Sequence, residues 1–228
     1  MIFLVDFDGT ISINDTIDVM LELFASKEYL AIEMRWKNNE ISSMECMKRQ
    51  FELIRAEEAA LINYMDSIDI DLSFIDFCHY ALKLGAIAIA SDGIDYPIRK
   101  ILEKHQINNI PVFANKIKII EGGASISFPY ASNCIKQSGC CKCSVSRNLC
   151  ITQKKKIVLI GNGQSDMCLA ERADVVFAKD SLKDFCISKG IPFNGFNSFM
   201  DIVVLMKKWK KPEHSWALNS SDVEQNKY

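Results

Sequence analysis

The chain has 228 residues, 49% of them hydrophobic and 25% charged, a composition that suits one globular α/β domain with room for an inserted subdomain. Its formal net charge of −2 gives no general attraction to nucleic acid. No apolar run approaches the ~20 residues that a membrane span needs.

Ile2 to Val5 is a short apolar run that reads as a buried parallel strand. It has no basic leader and runs straight into acidic residues, so it does not read as a signal peptide. Nine cysteines, an odd number, then predict reduced thiols and a cytoplasmic location, not a disulfide framework. The strand ends in Asp6-Phe7-Asp8-Gly9-Thr10. In an open α/β sheet, ligands bind just beyond the carboxyl ends of strands. Two carboxylates there can hold Mg²⁺, and one of them can attack an electrophile. The plain structural alternative is an Asp-rich turn after an edge strand.

From residue 14 to about 80 the periodicity is helical. Asn14 or Asp15 caps a helix carrying Ile17, Met20, Leu21 and Phe24. Further helices are predicted at Glu28–Lys37, Ser42–Ile54, Ala56–Met65 and Leu72–Leu84. Residues 14–81 are expected to form a helical cap inserted after the first strand. Residues 1–13 and 82–209 would form the core, and 210–228 a polar, loosely held tail. Two short connections, near Ile11–Asn14 and Leu82–Ala86, would let the cap act as a lid.

Ala86 to Ala90 reads as the second core strand, Ile94 to Gln106 as a helix and Ile110 to Ala114 as a third strand. Between the first two lies Ser91-Asp92-Gly93. A hydroxyl and successive backbone N–H groups beside a Gly at a helix start make a phosphate cradle, to which Asp92 adds negative charge. An ordinary strand-to-helix turn with a capping Ser is the alternative. Lys116 to Phe128 alternates around Gly122-Gly123 and predicts a β-hairpin beside the sheet. Ile157 to Ile160 and Val175 to Phe177 are the remaining strands. Strands and helices alternate, so the fold class is α/β, a doubly wound parallel sheet with an inserted helical cap.

Cys134, Cys140, Cys141, Cys143 and Cys150 cluster before the Ile157 strand. Zinc is one reading of the cluster, although the spacing matches no standard ligand set; packing residues and redox-sensitive thiols are the others. After that strand comes Gly161-Asn162-Gly163-Gln164-Ser165-Asp166, another turn at a strand's carboxyl end.

These motifs, in this order, resemble those of the haloacid dehalogenase (HAD) superfamily, whose first motif is D-x-D-x-T. The resemblance implies Asp6 as nucleophile forming an aspartyl-phosphate, and Asp8 as general acid and base. The attack needs a cation to offset carboxylate–phosphate repulsion, and the leaving alkoxide needs a proton. Ser91, with Asp92 and Gly93, matches the second motif and would bind phosphate. The third is a Lys, placed here at Lys142, which should open the helix before the Ile157 strand; Lys136 and Lys154–Lys156 are the weaker candidates. The fourth is usually G-D-G-x-[SN]-D. Here Asn162 replaces its first acid, so the implied Mg²⁺ ligands are Asp6, Asp8, Asn162 and Asp166, with one charge fewer.

The insert after the first strand resembles the phosphoserine-phosphatase-like branch. In that branch an acidic residue, here Asp15, faces the substrate. A cap Arg holds the substrate carboxylate; here Gln50 takes that position, with Arg49 beside it. The Ile117–Phe128 hairpin, the Cys-Lys segment and Val176 to Cys186 resemble the subgroup acting on a hydroxy-keto-methylthiopentenyl phosphate in methionine salvage. The expected function is a Mg²⁺-dependent phosphomonoesterase for a small phosphorylated metabolite, with neither nucleic acid nor membrane as partner. A non-catalytic phosphate-binding protein and a phosphotransferase are the alternatives.

Overall fold

Ile2–Val5 forms β1, and all four residues are buried because the strand lies at the centre of a sheet with both faces covered. The computed structural model describes residues 1–132, 137–150 and 155–209. Along the described chain, β1 is followed by α1 (Thr16–Phe24), α2 (Tyr29–Lys37), α3 (Ser43–Phe51), α4 (Glu58–Asp66) and α5 (Ser73–Ala81). Then come β2 (Ala86–Ile94), α6 (Asp95–Lys104), β3 (Val112–Ile120) and β4 (Gly123–Ser127). α7 (Lys142–Leu149), β5 (Ile157–Gly161), α8 (Met167–Ala170), β6 (Val175–Ala178), α9 (Asp180–Lys189), β7 (Asn194–Gly195) and α10 (Phe199–Lys208) complete it. The sheet order is β4-β3-β2-β1-β5-β6-β7, parallel except for the β3–β4 hairpin.

The strand period of two divides the core between the two faces. Phe3, Val5, Ile87, Ile89, Val158 and Ile160 pack with Phe74 and Phe77 of α5, Ile98 of α6 and Phe199 of α10. Leu4, Ala88, Ala90, Leu159 and Val176 pack with Val145 of α7, Leu169 of α8 and Leu182 of α9. A third cluster joins Met20, Leu21, Met47, Phe51, Leu61 and Met65 of the inserted helices to Ala124 of β4, with Ile117 and Ile119 of β3 against it.

Three features differ from the sequence reading. α5, expected within the cap segment, packs on the sheet. Its aromatic residues Phe74 and Phe77 meet Phe199, and Asp71 just before it accepts hydrogen bonds from the Ser73 and Phe199 amides. The third strand and the first arm of the hairpin are one strand, β3, whose first half pairs with β2 and whose second half runs beneath the inserted helices. The segment Ser91–Gly93 belongs to β2, with a register irregularity between Ala90 and Ile94, and the helix starts only at Asp95. Cys134, Lys136, Lys154 and the tail from residue 210 lie outside the described residues.

Candidate active site

The carboxyl ends of β1, β2 and β5 meet at the sheet's centre, where strand direction alone brings the motifs together. Asp6 directly follows β1, and its amide donates to the Ile160 carbonyl, 2.9 Å away. Phe7 turns into the core, so Asp6 and Asp8 share the opposite side. Gly9 lies at φ +65°, and a β-carbon there would collide with the Asn162 side chain. The turn after the first strand is thereby fitted against the one after β5.

Lys142 opens α7 and is only 3% exposed. Its Nζ stands 2.8 Å from Asp6 Oδ1, 2.6 Å from Asp166 Oδ1 and 2.8 Å from Ser165 Oγ. Burial works against its charge, but Asp166 and Asp6 outweigh burial and hold the ammonium above the ordinary lysine range. Asp166 is fully buried, and its other oxygen accepts the Asn162 and Gly163 amides, each at 3.2 Å. Burial pushes the Asp6 carboxyl well above the usual carboxylate range; the Asp166 charge adds to this and Lys142 opposes it.

Asp8 is held separately. Its Oδ1 accepts from the Thr16 amide (2.9 Å) and hydroxyl, and its Oδ2 accepts from Ser91 Oγ at 3.1 Å. Burial, and then the charge of Asp15, raise it to about 7, while the Thr16 and Ser91 bonds pull the other way. A group titrating there can give and take a proton near neutral pH.

The remaining expected residues fall as follows. Ser91 is fully buried, and its hydroxyl accepts the Gly93 amide at 2.9 Å, so that N–H serves the cradle itself. Asp15 caps α1, its Oδ1 accepting from the Ile17 and Asp18 amides, and also lines the cavity. Asn162 Oδ1 accepts from the Thr10 hydroxyl at 3.1 Å. The carboxylate of Asp92 is taken up by Ser43 Oγ and the Cys140 amide, each at 2.8 Å. The residues that sequence reading passed over are Thr10, Thr16 and Ser165. Ser165 had a signal in its place one residue before Asp166; Thr16 had none, because its link to Asp8 exists only once α1 is folded.

A cavity of about 700 Å³ opens above these residues, walled on the far side by Ile17, Trp36, Ile41, Met47 and Gln50. Gln50 faces this space, whereas Arg49 pairs with Glu45 along its own helix. Among the described residues lining the cavity there is no arginine, and its two lysines, Lys37 and Lys142, are both paired with carboxylates.

The residues that would hold a divalent cation, Asp6, Asp8, Asn162 and Asp166, offer oxygen donors only. That suits a small hard ion over a thiophilic one. Among the described residues no three His, Cys, Asp or Glu side chains already stand together as an ion site. Asp6 and Asp166 share the one ammonium of Lys142 and Asp8 is seated by neutral groups, so a cation there would offset the remaining carboxylate charge. Cys140, Cys141 and Cys143 pack into the second face of the core. Burial and the nearby Asp92 push the Cys140 thiol up to about 12.

No family model matches the chain. It is 30% identical over 202 residues to the 2-hydroxy-3-keto-5-methylthiopentenyl-1-phosphate phosphatase of Bacillus velezensis, covering 86% of each chain. It is 28% identical over 207 residues to the phosphatase of the same name from an Exiguobacterium species, covering 89% of this chain and 95% of that one. Its fold matches that of a phosphoserine phosphatase solved as a phospho-aspartyl intermediate analogue, with a TM-score of 0.67, 16% identity and coverage of 90% and 97%. The chain thus belongs to the family of the 2-hydroxy-3-keto-5-methylthiopentenyl-1-phosphate phosphatases, which are phosphoric monoester hydrolases.

Proposed function

We propose that the protein is a Mg²⁺-dependent phosphomonoesterase that acts on a small phosphorylated metabolite through an aspartyl-phosphate on Asp6. The observation that carries this reading is the buried bridge in which one ammonium, Lys142, holds both Asp6 and Asp166. It fixes a carboxylate at a strand end while leaving its second oxygen for chemistry.

In the first half-reaction an Asp6 oxygen attacks phosphorus, the ester P–O bond breaks, and the leaving oxygen takes a proton from Asp8. In the second, Asp8 takes a proton from water as that water attacks phosphorus. The Asp6–phosphorus bond then breaks, returning the carboxylate and releasing orthophosphate. Lys142 and the Ser91 hydroxyl offset charge on the phosphoryl oxygens. Asp6, Asp8, Asn162 and Asp166 would hold Mg²⁺, which supplies the positive charge that lets a dianion approach. Asp15 lines the substrate side, and α1–α4 with the hairpin form the cap. We place the protein in the cytoplasm, where its many cysteines would stay reduced.

The cavity wall supports a substrate like the one the relatives are named for. An apolar wall of Ile17, Trp36 and Met47, with the neutral amide of Gln50 and, among the described lining residues, no unpaired cation, suits a thioether chain bearing keto and hydroxyl groups. A second carboxylate would meet Asp15, Asp18 and Glu33. The test is a panel of phosphate esters with Mg²⁺, in which the keto-hydroxy ester should be preferred over phosphoserine. Asp6→Asn should abolish turnover without unfolding the protein. Preference for phosphoserine would refute the substrate class. Full turnover by a verified, undeamidated Asp6→Asn protein would refute the mechanism. Transfer of phosphate to added alcohols in place of water would mark a phosphotransferase.

A further inference from the structure

We propose that Asp92 is a positioning residue that ties the cap to the start of the Lys142 helix and so fixes where the Lys142 ammonium stands. Strand alternation sets its direction. Ser91 and Gly93 face Asp8, so Asp92 between them points the other way.

There its carboxylate meets two unrelated segments. Oδ2 accepts from the hydroxyl of Ser43, the first residue of α3, at 2.8 Å. Oδ1 accepts from the amide of Cys140, two residues before Lys142, also at 2.8 Å. The backbone is pinned too, its carbonyl accepting from Asn115 Nδ2 at 2.6 Å. A second seam bond runs beside it, from the Met44 amide to the Gln137 carbonyl, at 3.4 Å.

Both donors stand at helix starts, because α3 begins at Ser43 and α7 at Lys142. A carboxylate is favoured beside such ends, and the two charge-assisted bonds are directional. Asp92 also lies between Ser91, which donates to Asp8, and Gly93, which packs beneath it. Its side chain links the cap to the segment that opens the Lys142 helix, and its backbone neighbours touch Asp8.

This inference rests on the role proposed for Lys142 and is tested against it. The variants are Asp92→Ala, Ser43→Ala, Lys142→Met and the Asp92→Ala/Lys142→Met double. Each is assayed with p-nitrophenyl phosphate and with the keto-hydroxy ester at saturating Mg²⁺, and melting temperatures are recorded alongside. Ser43→Ala cuts only the cap arm, so KM for the keto-hydroxy ester should rise about 3- to 10-fold with kcat within twofold. Asp92→Ala also frees the Lys142 arm, and kcat should fall about 10- to 100-fold on both substrates.

The double variant should lose no more kcat than Lys142→Met alone, because a residue acting through Lys142 has nothing left to position. Losses that multiply in the double variant would overturn the proposal. So would an Asp92→Ala protein that melts lower but keeps wild-type kcat. Wild-type kcat in Lys142→Met would instead refute the role of Lys142, and the inference with it.

Discussion

Gly93 lies so close beneath Asp8 that a β-carbon on it would collide with the Asp8 carboxylate and press on the Ser91 hydroxyl. The proposed acid–base group rests on bare backbone. Gly93→Ala should therefore displace Asp8 without touching the Asp6–Lys142–Asp166 bridge. A shift of about 1 Å in a catalytic group costs about 100-fold. We expect kcat to fall by about that factor for alkyl phosphates, and stability to fall by about 1–3 kcal/mol. The loss should be smaller for aryl phosphates, whose leaving group needs no proton. Equal losses across leaving groups would mean that Asp8 is not the acid.

Lys142→Met should cost far more stability than an exposed lysine would. It leaves Asp6 and Asp166 facing each other with no cation, at 5% and 0% exposure. Breaking a buried pair in this way costs about 3–5 kcal/mol. The raised folded-state pKa of Lys142 means that its contribution is fully present at neutral pH and is lost only above the ordinary lysine range. The deficit of the variant should shrink as pH falls and Asp6, whose pKa burial raises, takes up a proton. Adding Asp166→Asn should restore part of it. Urea titrations of the wild type, the Lys142→Met and Asp166→Asn single variants and the double variant at two pH values measure both effects.

Asp8→Asn should stabilise the protein in EDTA, and only toward higher pH. The folded-state value of Asp8 stands at about 7, above its ordinary 3.8. A carboxyl raised on folding adds stability below the unfolded value, and that stability is lost as pH rises through the folded one. The amide escapes this loss while Thr16 and Ser91 still bond to it. Relative to the wild type, the variant should gain about 4 kcal/mol between pH 4 and 8, levelling off above about 7. A gain independent of pH would mean that Asp8 is not held up by its surroundings.

Asn162→Asp should act in opposite directions with and without Mg²⁺. The Asn162 oxygen already accepts from Thr10, so a carboxylate keeps that bond and adds a charge beside Asp6, Asp8 and Asp166. The Mg²⁺ concentration for half-maximal activity should fall about 10-fold, because a hard cation favours charged oxygens. The melting temperature in EDTA should fall as well, from repulsion among the acids. An unchanged Mg²⁺ requirement would remove Asn162 from the cation's surroundings.

Much of the sheet could be read from the chain because its strands are buried on both faces. Ile2–Val5 and Ile157–Ile160 are unbroken apolar runs, and each strand-end motif announces itself by the polar residues that follow. The convergence of Asp6 and Asp166 could be anticipated from strand direction, whereas only the family resemblance singles out Lys142, which opens a helix as expected there. Asp92 could not be read this way. Ser-Asp-Gly looks like a turn, and only its place in a strand sends the middle side chain to the opposite face. α5 escaped for another reason: its apolar spacing resembles that of the neighbouring helices, and spacing does not say which surface a helix will meet. Thr16 depends on closeness in space alone, and β7, with two residues, is too short to leave a pattern.

The hairpin also changes how the inserted helices are attached. The Ala56 amide bonds to the Gly122 carbonyl at the hairpin tip, and the Ile54 carbonyl leaves no space for a β-carbon on Gly123. A body held by two chain connections can pivot about the line between them; a third anchor off that line removes the pivot. Because β3 runs from the tip into the sheet, a rigid swing of these helices must either tear the hairpin contact or bend the strand. If that anchor holds in solution, traffic to the cavity would be set by small shear along the seam and by side chains at its mouth, and a shorter hairpin would restore the hinge.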